Sequence, residues 1–232
     1  MAKTKGSGFV EKVSKVFFNP PRDKYTNLTT NNLNIYGDVP IYKMEIYRTP
    51  LSNMFIKSIN TISLGKFEEL MKKYGFDKFF HLALVCTLTN NKKLIIQKLD
   101  VIEVSTNFKT KDNTEVLDVK EYIYRGPDEE DHLTINEMFS NARAKVPDNL
   151  WFGYDGFKNN CQYFIKYILE YSDLYGPEEQ KFVFQNISEL VKQMPKYVNE
   201  TMNAVTDAAA SFTNFIGKGI NDNAYEFYQL YD

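Results

Sequence analysis

Apolar and polar residues alternate and cluster along this chain in patterns that predict an antiparallel sheet. The strongest strand pattern is Phe79–Leu88, in which His81 is followed by an almost continuous apolar run. A four-residue polar break separates this run from Lys93–Lys98, as in a hairpin with a tight turn. Shorter strand patterns occur at Ile41–Tyr47, Val101–Ser105 and Glu115–Val119.

Helical spacing of apolar residues appears on both sides of these strand patterns. It covers Leu51–Tyr74, with a break at Gly65 and a C-cap at Gly75. A capping box that begins at Thr134 predicts a second helix, which runs to about Lys145. Because the strands are grouped and do not alternate with helices, the order favours an α+β fold over a parallel sheet.

The patterns divide the chain into a central domain and two terminal segments. Residues 1–37 contain Pro20-Pro21 and an Asn/Thr-rich run, and they predict a flexible or partner-docking arm. Residues 38–195 hold the strand and helix patterns of the domain. Residues 196–232 repeat apolar positions at helical spacing and predict a C-terminal helical arm. No run of 18 apolar residues exists, so we expect no transmembrane helix.

Composition narrows the classes of function. The 232 residues carry a formal net charge of −2 with acidic and basic residues mixed, so we expect no nucleic-acid partner. Two cysteines do not make a disulfide framework and fit a reducing compartment. The first residues lack the apolar core of a secretory signal, so we expect a protein that is not secreted. Without a Gly-rich phosphate loop or a paired-cysteine motif, we expect neither a cofactor nor a metal.

Cys161 has the clearest chemical interpretation. Asn159 and Asn160 precede it as candidate helix N-caps, and Phe164 and Ile168 follow it at helical spacing. A thiol in the first turn of a helix lies at the positive end of the helix dipole, which favours the thiolate. The alternative interpretation is a buried cysteine that acts as a small core residue.

A nucleophilic thiol also needs a base, and the chain has two histidines. His81 begins the strongest strand pattern, whereas His132 follows an acidic run and fits a surface position. Cys86 lies in the same strand as His81 but with opposite parity, so we expect it in the core. His81 and Cys161 are therefore the candidate base and nucleophile.

These motifs together resemble the circularly permuted papain-fold proteins. That class includes the permuted branch of the NlpC-type hydrolases and the lecithin:retinol acyltransferase-like group, and has members encoded by large DNA viruses and related elements. The motifs are the His81 strand, Gln97-Lys98 after the hairpin, the aromatic segment Trp151–Phe157 and the signature Asn159–Phe164. In the permuted branch the His strand precedes the Cys helix, which is the order here. The resemblance covers about residues 40–195. It implies an α+β, permuted papain-like fold, in which an antiparallel sheet carrying the His packs on a Cys-bearing helix.

By this resemblance Cys161 is the nucleophile and His81 the general base, and a third polar residue orients the imidazole. Gln97 takes that position by resemblance, although relatives often carry an acidic residue there. A two-residue Asn90-Asn91 turn would instead place Asp100 opposite His81 and Gln97 on the other parity, opposite Leu84. Asp100 is therefore the alternative third residue.

Two further sets of residues surround the candidate nucleophile. Asn159 and Asn160 are candidates for capping the helix or donating to an oxyanion, although the backbone N–H of Cys161 is the simpler oxyanion donor. An aromatic group just before Cys161 predicts either the packing of its helix on the sheet or one wall of an acyl or peptide groove. Its members are Trp151, Tyr154 and Phe157.

The resemblance implies a cysteine-dependent hydrolase or acyltransferase, such as a peptidase, amidase or lipid acyl hydrolase. It would act on an amide, ester or thioester through an acyl-thioenzyme. The alternative is a non-catalytic structural or interaction protein, such as a minor virion component, that retains the fold. The arms predict capsid or other protein partners, or contact with a membrane surface. Through its virus-encoded members, the resemblance implies a location in the host cytoplasm, with the virion as an additional location.

Overall fold

The fold is α+β, with an antiparallel sheet of five strands and six helices in the described part of the chain. The computed structural model describes residues 25–51, 56, 60, 63–75, 78–99, 101–107, 110–121, 133–155, 159–184 and 192–193. The strands are β1 Ile41–Pro50, β2 Phe80–Leu88, β3 Lys93–Lys98, β4 Ile102–Ser105 and β5 Glu115–Glu121. The helices are α1 Asn27–Tyr36, α2 Lys66–Tyr74, α3 Ile135–Arg143, α4 Asp148–Trp151, α5 Cys161–Glu170 and α6 Pro177–Val183.

The sheet has the order β4-β3-β2-β1-β5, and every neighbouring pair is antiparallel. This arrangement confirms the antiparallel sheet and the β2–β3 hairpin expected from the sequence. The apolar run of β2 lies in the central strand of the sheet. Both faces of this strand are covered, and this explains why it contains few polar residues. Its even-numbered side chains, Leu82, Leu84, Cys86 and Leu88, join the core that also holds Phe164 and Ile168 of α5.

The hairpin register differs by one residue from the register expected for an Asn90-Asn91 turn. Gln97 lies opposite Ala83, and not opposite Leu84. Asn91 adopts a left-handed conformation with φ 64°, and its N–H bonds to the carbonyl of Leu88 at 2.9 Å. A three-residue loop that ends in a left-handed residue is a common hairpin connection. The shift places Gln97 on the same face of the sheet as His81, because Ala83 and His81 share parity.

The segment before β1 is not wholly an arm. Residues 27–36 form α1, whose Thr29 and Asn32 side chains bond to the outer strand β4. The Thr29 hydroxyl donates to the carbonyl of Ile102 at 3.0 Å, and the Asn32 amide donates to the carbonyl of Val104 at 2.7 Å. The Asn/Thr-rich composition therefore serves a helix that satisfies the backbone of an edge strand. Residues 1–24 and 196–232, and with them the C-terminal arm, lie outside the described residues.

Several predicted helix ends are confirmed. α2 follows Gly65 and ends at Gly75, and both glycines have a positive φ, 83° and 71°. The Thr134 hydroxyl caps α3 by accepting from the N–H of Glu137 at 3.1 Å.

Across the described ranges, no helix combines the length and the hydropathy needed to cross a membrane.

Candidate active site

The first turn of α5 presents Cys161. Asn160 has extended backbone angles and its side-chain oxygen accepts from the N–H of Gln162 at 2.9 Å, so Asn160 is the N-cap. The carbonyl of Asn160 accepts the first helical bond, from Phe164 at 3.1 Å. The capping role expected of Asn160 is thus confirmed, and it fixes the thiol at the first helical position.

Asn159 braces the loop that leads into this helix. Its amide nitrogen donates to the carbonyls of Leu150 and Gly153, at 2.8 and 2.7 Å, so both amide hydrogens are used inside the protein. Asn159 and Asp155 also exchange two backbone hydrogen bonds of 3.0 Å. Asn159 therefore neither caps α5 nor offers a hydrogen to an oxyanion in this arrangement.

Gly153 is required where this loop passes α4. A Cβ at that position would overlap the carbonyl oxygen of Asn149. The tight approach lets the carbonyl of Gly153 reach the amide of Asn159. The loop before the thiol is thus held by backbone packing and by one buried amide.

Cys161 and His81 meet where the start of α5 lies beside the start of β2. The two side chains lie near enough for each to shift the pKa of the other, and the backbone of Leu82 and that of Gln162 also lower the pKa of the thiol. Cys161 is buried, at 6% exposure, and His81 is half-buried. The fold therefore brings together the two residues proposed from sequence as nucleophile and base.

This proximity changes the ionisation of both groups. Burial, the largest single effect, opposes the thiolate, but the charge of His81 and the hydrogen bonds to the sulfur outweigh it, so the pKa of Cys161 is lowered. For His81, burial again is the largest effect and favours the neutral ring. The charge of Cys161 and the bonds to Cys161 and Gln97 outweigh it, so the pKa of His81 is raised. The two shifts favour a thiolate–imidazolium pair.

Gln97 is the residue that contacts the far side of the imidazole. Its side-chain oxygen lies 2.8 Å from Nε2 of His81. Since an amide oxygen only accepts, Nε2 donates and Nδ1 remains as the ring nitrogen available to Cys161. Gln97 thus stands where the resemblance placed the third residue. The alternative, Asp100, lies outside the described residues.

Glu103 is a carboxylate that the sequence did not single out. It lies opposite Gln97 in the β3–β4 pairing, and its oxygen accepts from the Gln97 amide nitrogen at 2.9 Å. Burial raises the pKa of Glu103, against the bond from Gln97 and the charge of His81, which lower it. The sequence would have indicated Glu103 only if the one-residue shift of the hairpin had been known, because His81, Gln97 and Glu103 then lie on one face of the sheet.

Lys98 is a second residue to which the sequence analysis assigned no role. It is 1% exposed, and its Nζ donates to the carbonyl of Leu150 at 2.8 Å. In the part of the chain that the structure describes, no carboxylate forms an ion pair with it. Burial lowers the pKa of Lys98 to about 7, although the nearby charge of Cys161 raises it. The Leu150 carbonyl thus receives hydrogen bonds from both Lys98 and Asn159.

Among the aromatic residues before Cys161, Trp151 lies in the core. Trp151 is fully buried, and its ring packs against Phe139 and Phe164 while Nε1 donates to the hydroxyl of Tyr25 at 3.0 Å. Of the two alternatives, packing of the Cys161 helix is the one seen for Trp151, which at 0% exposure packs α5 and α3 together and presents no surface to a groove. Tyr154 is half-buried, and Phe157 lies outside the described residues.

Neither cysteine is in a disulfide. Cys86 is in the core, at 0% exposure, as its parity in β2 predicts. Within the described ranges, no group of three or more His, Cys, Asp or Glu side chains is placed to hold a metal ion.

Comparison of the chain with family models, with curated proteins and with solved structures gave no match. Functional inference therefore depends on the side-chain geometry of this site and on the order of its elements.

Proposed function

We propose that this protein is a cysteine-dependent hydrolase or acyltransferase with a permuted papain-like fold. The His-bearing strand β2 precedes the Cys-bearing helix α5 in the chain, and α5 packs on the sheet that β2 helps to form. The proposal rests on one observation above all, the pairing of Cys161 with His81, in which each group favours the charged form of the other. A structural cysteine in a core has no such partner.

The first half-reaction forms an acyl-thioenzyme. The Cys161 thiolate attacks the carbonyl carbon of an amide, ester or thioester, and the carbonyl electron pair moves to its oxygen. The backbone N–H of Cys161 lies in the first turn of α5, where helical N–H groups have no acceptor within the helix, so it is suited to stabilise that oxyanion. Collapse of the intermediate breaks the bond to the leaving group, which takes a proton from His81.

The second half-reaction releases the acyl group. His81 removes a proton from water, or from an acceptor hydroxyl or amine, as its oxygen or nitrogen attacks the thioester carbon. The bond to sulfur breaks, and the thiolate departs beside the imidazolium, so the resting ion pair is restored. Gln97 keeps the ring oriented through both steps, because its oxygen accepts from Nε2 in either charge state.

The test is whether an acyl group accumulates on Cys161. Purified protein is mixed with a short nitrophenyl ester, a long-chain nitrophenyl ester and a peptide anilide, and the intact mass is recorded after rapid acid quenching. We expect an added acyl mass on the wild-type protein and on Cys86→Ala, and none on Cys161→Ala. The preferred acyl donor then indicates the substrate class.

The control for simple thiol reactivity is the same protein unfolded in urea. Folded protein that acylates no faster than the unfolded chain, or acylation that persists in Cys161→Ala, would contradict the proposed function.

A further inference from the structure

Three neighbouring strands place three polar side chains in one line on the same face of the sheet. His81 shares parity with Ala83 in β2, Ala83 lies opposite Gln97 in β3, and Gln97 lies opposite Glu103 in β4. Two hydrogen bonds join the three side chains, 2.8 Å from His81 to Gln97 and 2.9 Å from Gln97 to Glu103. The charge of Cys161 acts on the same imidazole, so the line leads to the thiol.

The two ends of the Gln97 amide have nearly the same shape, so His81 alone does not determine which end faces it. A neutral imidazole can donate to the amide oxygen from Nε2, or accept from the amide nitrogen at Nε2. The second arrangement would place the ring proton on Nδ1, the nitrogen that must take the proton of the thiol. An amide in the third position therefore needs a partner that fixes its orientation.

Glu103 supplies that constraint. An ionised carboxylate only accepts hydrogen bonds, so it requires the nitrogen of Gln97 and turns the oxygen of Gln97 toward His81. No Lys or Arg among the described residues forms an ion pair with Glu103 that would compete for its charge. The charge of Glu103 also acts on the imidazole, in the direction that favours its protonated form.

We propose that Glu103 is a positioning residue for the Cys161–His81 pair, which holds the Gln97 amide so that its oxygen accepts from Nε2 of His81. The carboxylate acts on the imidazole from one strand further away, with an amide between the two. This inference rests on the proposed thiol chemistry and adds a residue to it.

The experiment exchanges the carboxylate and the amide between the two strands. It uses full-length protein in a Cys86→Ala background, so that only one thiol responds. The variants are Glu103→Gln and the double change Gln97→Glu with Glu103→Gln, and Asp118→Asn is the control for loss of a strand carboxylate elsewhere in the sheet. The double change keeps both hydrogen bonds but reverses the order of amide and carboxylate, so the carboxylate then accepts directly from His81.

Two readouts are recorded between pH 5 and pH 9, the ultraviolet absorbance of the thiolate and the rate of alkylation by iodoacetamide. Neither readout requires a substrate. At pH 6 we expect Glu103→Gln to be alkylated about tenfold more slowly than the parent. A tenfold decrease in thiolate population is the effect of a rise of about one unit in the pKa of Cys161. The double variant should recover the parent rate, and Asp118→Asn should not change it.

If Glu103→Gln keeps the pH profile of the parent while His81→Ala loses it, the role proposed for Glu103 is wrong and the proposed function still stands. An ordinary thiol profile in the parent itself would overturn both. Thermal unfolding of each variant shows whether it folds. If Glu103→Gln does not fold, the double variant decides, because a folded double variant without the thiolate at low pH also overturns the proposal.

Discussion

The two cysteines of this chain are buried to nearly the same extent, but their pKa values are shifted in opposite directions. Cys86, in the middle of β2, is 0% exposed, and burial alone raises its pKa. Cys161, at the start of α5, is 6% exposed, yet its pKa is lowered. The difference comes from partners, since the charge of His81 and nearby backbone groups lower the pKa of Cys161, whereas burial in the apolar core is the cause of the shift at Cys86. Burial of a thiol therefore does not decide its reactivity, because the groups within hydrogen-bonding distance can reverse the sign of the shift.

The largest effect on this comparison is expected from His81→Ala, which should make Cys161 resemble Cys86. Without the imidazole, burial dominates and the thiolate is disfavoured at neutral pH. In a Cys86→Ala background, we expect alkylation at pH 6 to fall by about 100-fold or more, the scale of a lost acid–base partner. The measurement is the alkylation rate of Cys161 from pH 5 to pH 10.

The sign follows from the directions of the two pKa shifts. In the intact protein the lowered pKa of Cys161 and the raised pKa of His81 keep the ion pair below the range where a free thiol ionises, near pH 8.5. Gln97→Ala should reduce the rate less than His81→Ala, since it removes an orienting bond and not the charge. If the intact protein reacts only above about pH 8, the thiol is unactivated. The structural or interaction protein would then be the better interpretation.

A second prediction concerns Lys98, a buried cation beside this site. Its pKa is about 7 in the folded protein, and it is about 10.4 in an unfolded chain. Below pH 7 the folded state must hold a desolvated charge. As pH rises from about 7 to about 10, the unfolded chain binds the proton that the folded chain has released, so stability increases with pH. Lys98→Met should therefore stabilise the protein by about 2–4 kcal/mol at pH 6 and by less than about 1 kcal/mol at pH 10.

Urea unfolding of both proteins at each pH measures this difference. Both proteins carry Cys161→Ala, because the charge of Cys161 acts on Lys98 and would otherwise couple the two titrations. A stability difference that does not vary with pH would show that Lys98 is protonated to the same extent in the folded and unfolded states.

The smallest effect is expected from the N-cap. Asn160→Ala removes the acceptor of the Gln162 N–H and should cost about 1 kcal/mol of unfolding free energy. Thr134→Ala removes an equivalent cap from α3, which carries no candidate site residue, and is the matched control. Both variants should lose about 2–4 °C of melting temperature. Only Asn160→Ala should slow the alkylation of Cys161, and equal rates in the two variants would show that the cap does not hold the thiol.

Local patterns were sufficient for most elements of the fold. The apolar run of β2, the cap of α3 at Thr134 and the start of α5 at Cys161 are each determined by neighbouring residues, and the structure has them where the sequence predicts them. The candidate pair was also accessible, because His81 and Cys161 each lie at the beginning of a strongly patterned element. Their proximity is a property of the packed domain, and the sequence motifs could only lead us to expect it.

The remainder depended on tertiary structure. One left-handed residue, Asn91, shifted the hairpin by a position, and this shift determines which side chains share the face of His81. The register must be known before Glu103 and Lys98 can be placed next to residues of the site. The polar helix α1 has little apolar periodicity, and it is stabilised by bonds from Thr29 and Asn32 to β4, which no local signal reveals.

The sheet order has a consequence for how the site assembles. His81, Gln97 and Glu103 lie within 23 consecutive residues on three strands joined by short connections, so closing this part of the chain costs little conformational entropy. Cys161 lies 80 positions after His81 and reaches it only when α5 docks on the sheet. Contacts of low sequence separation form early in folding, and distant ones pay for loop closure first. The imidazole and its two supports are thus a local structure, whereas the acidity of Cys161 belongs to the completed tertiary fold.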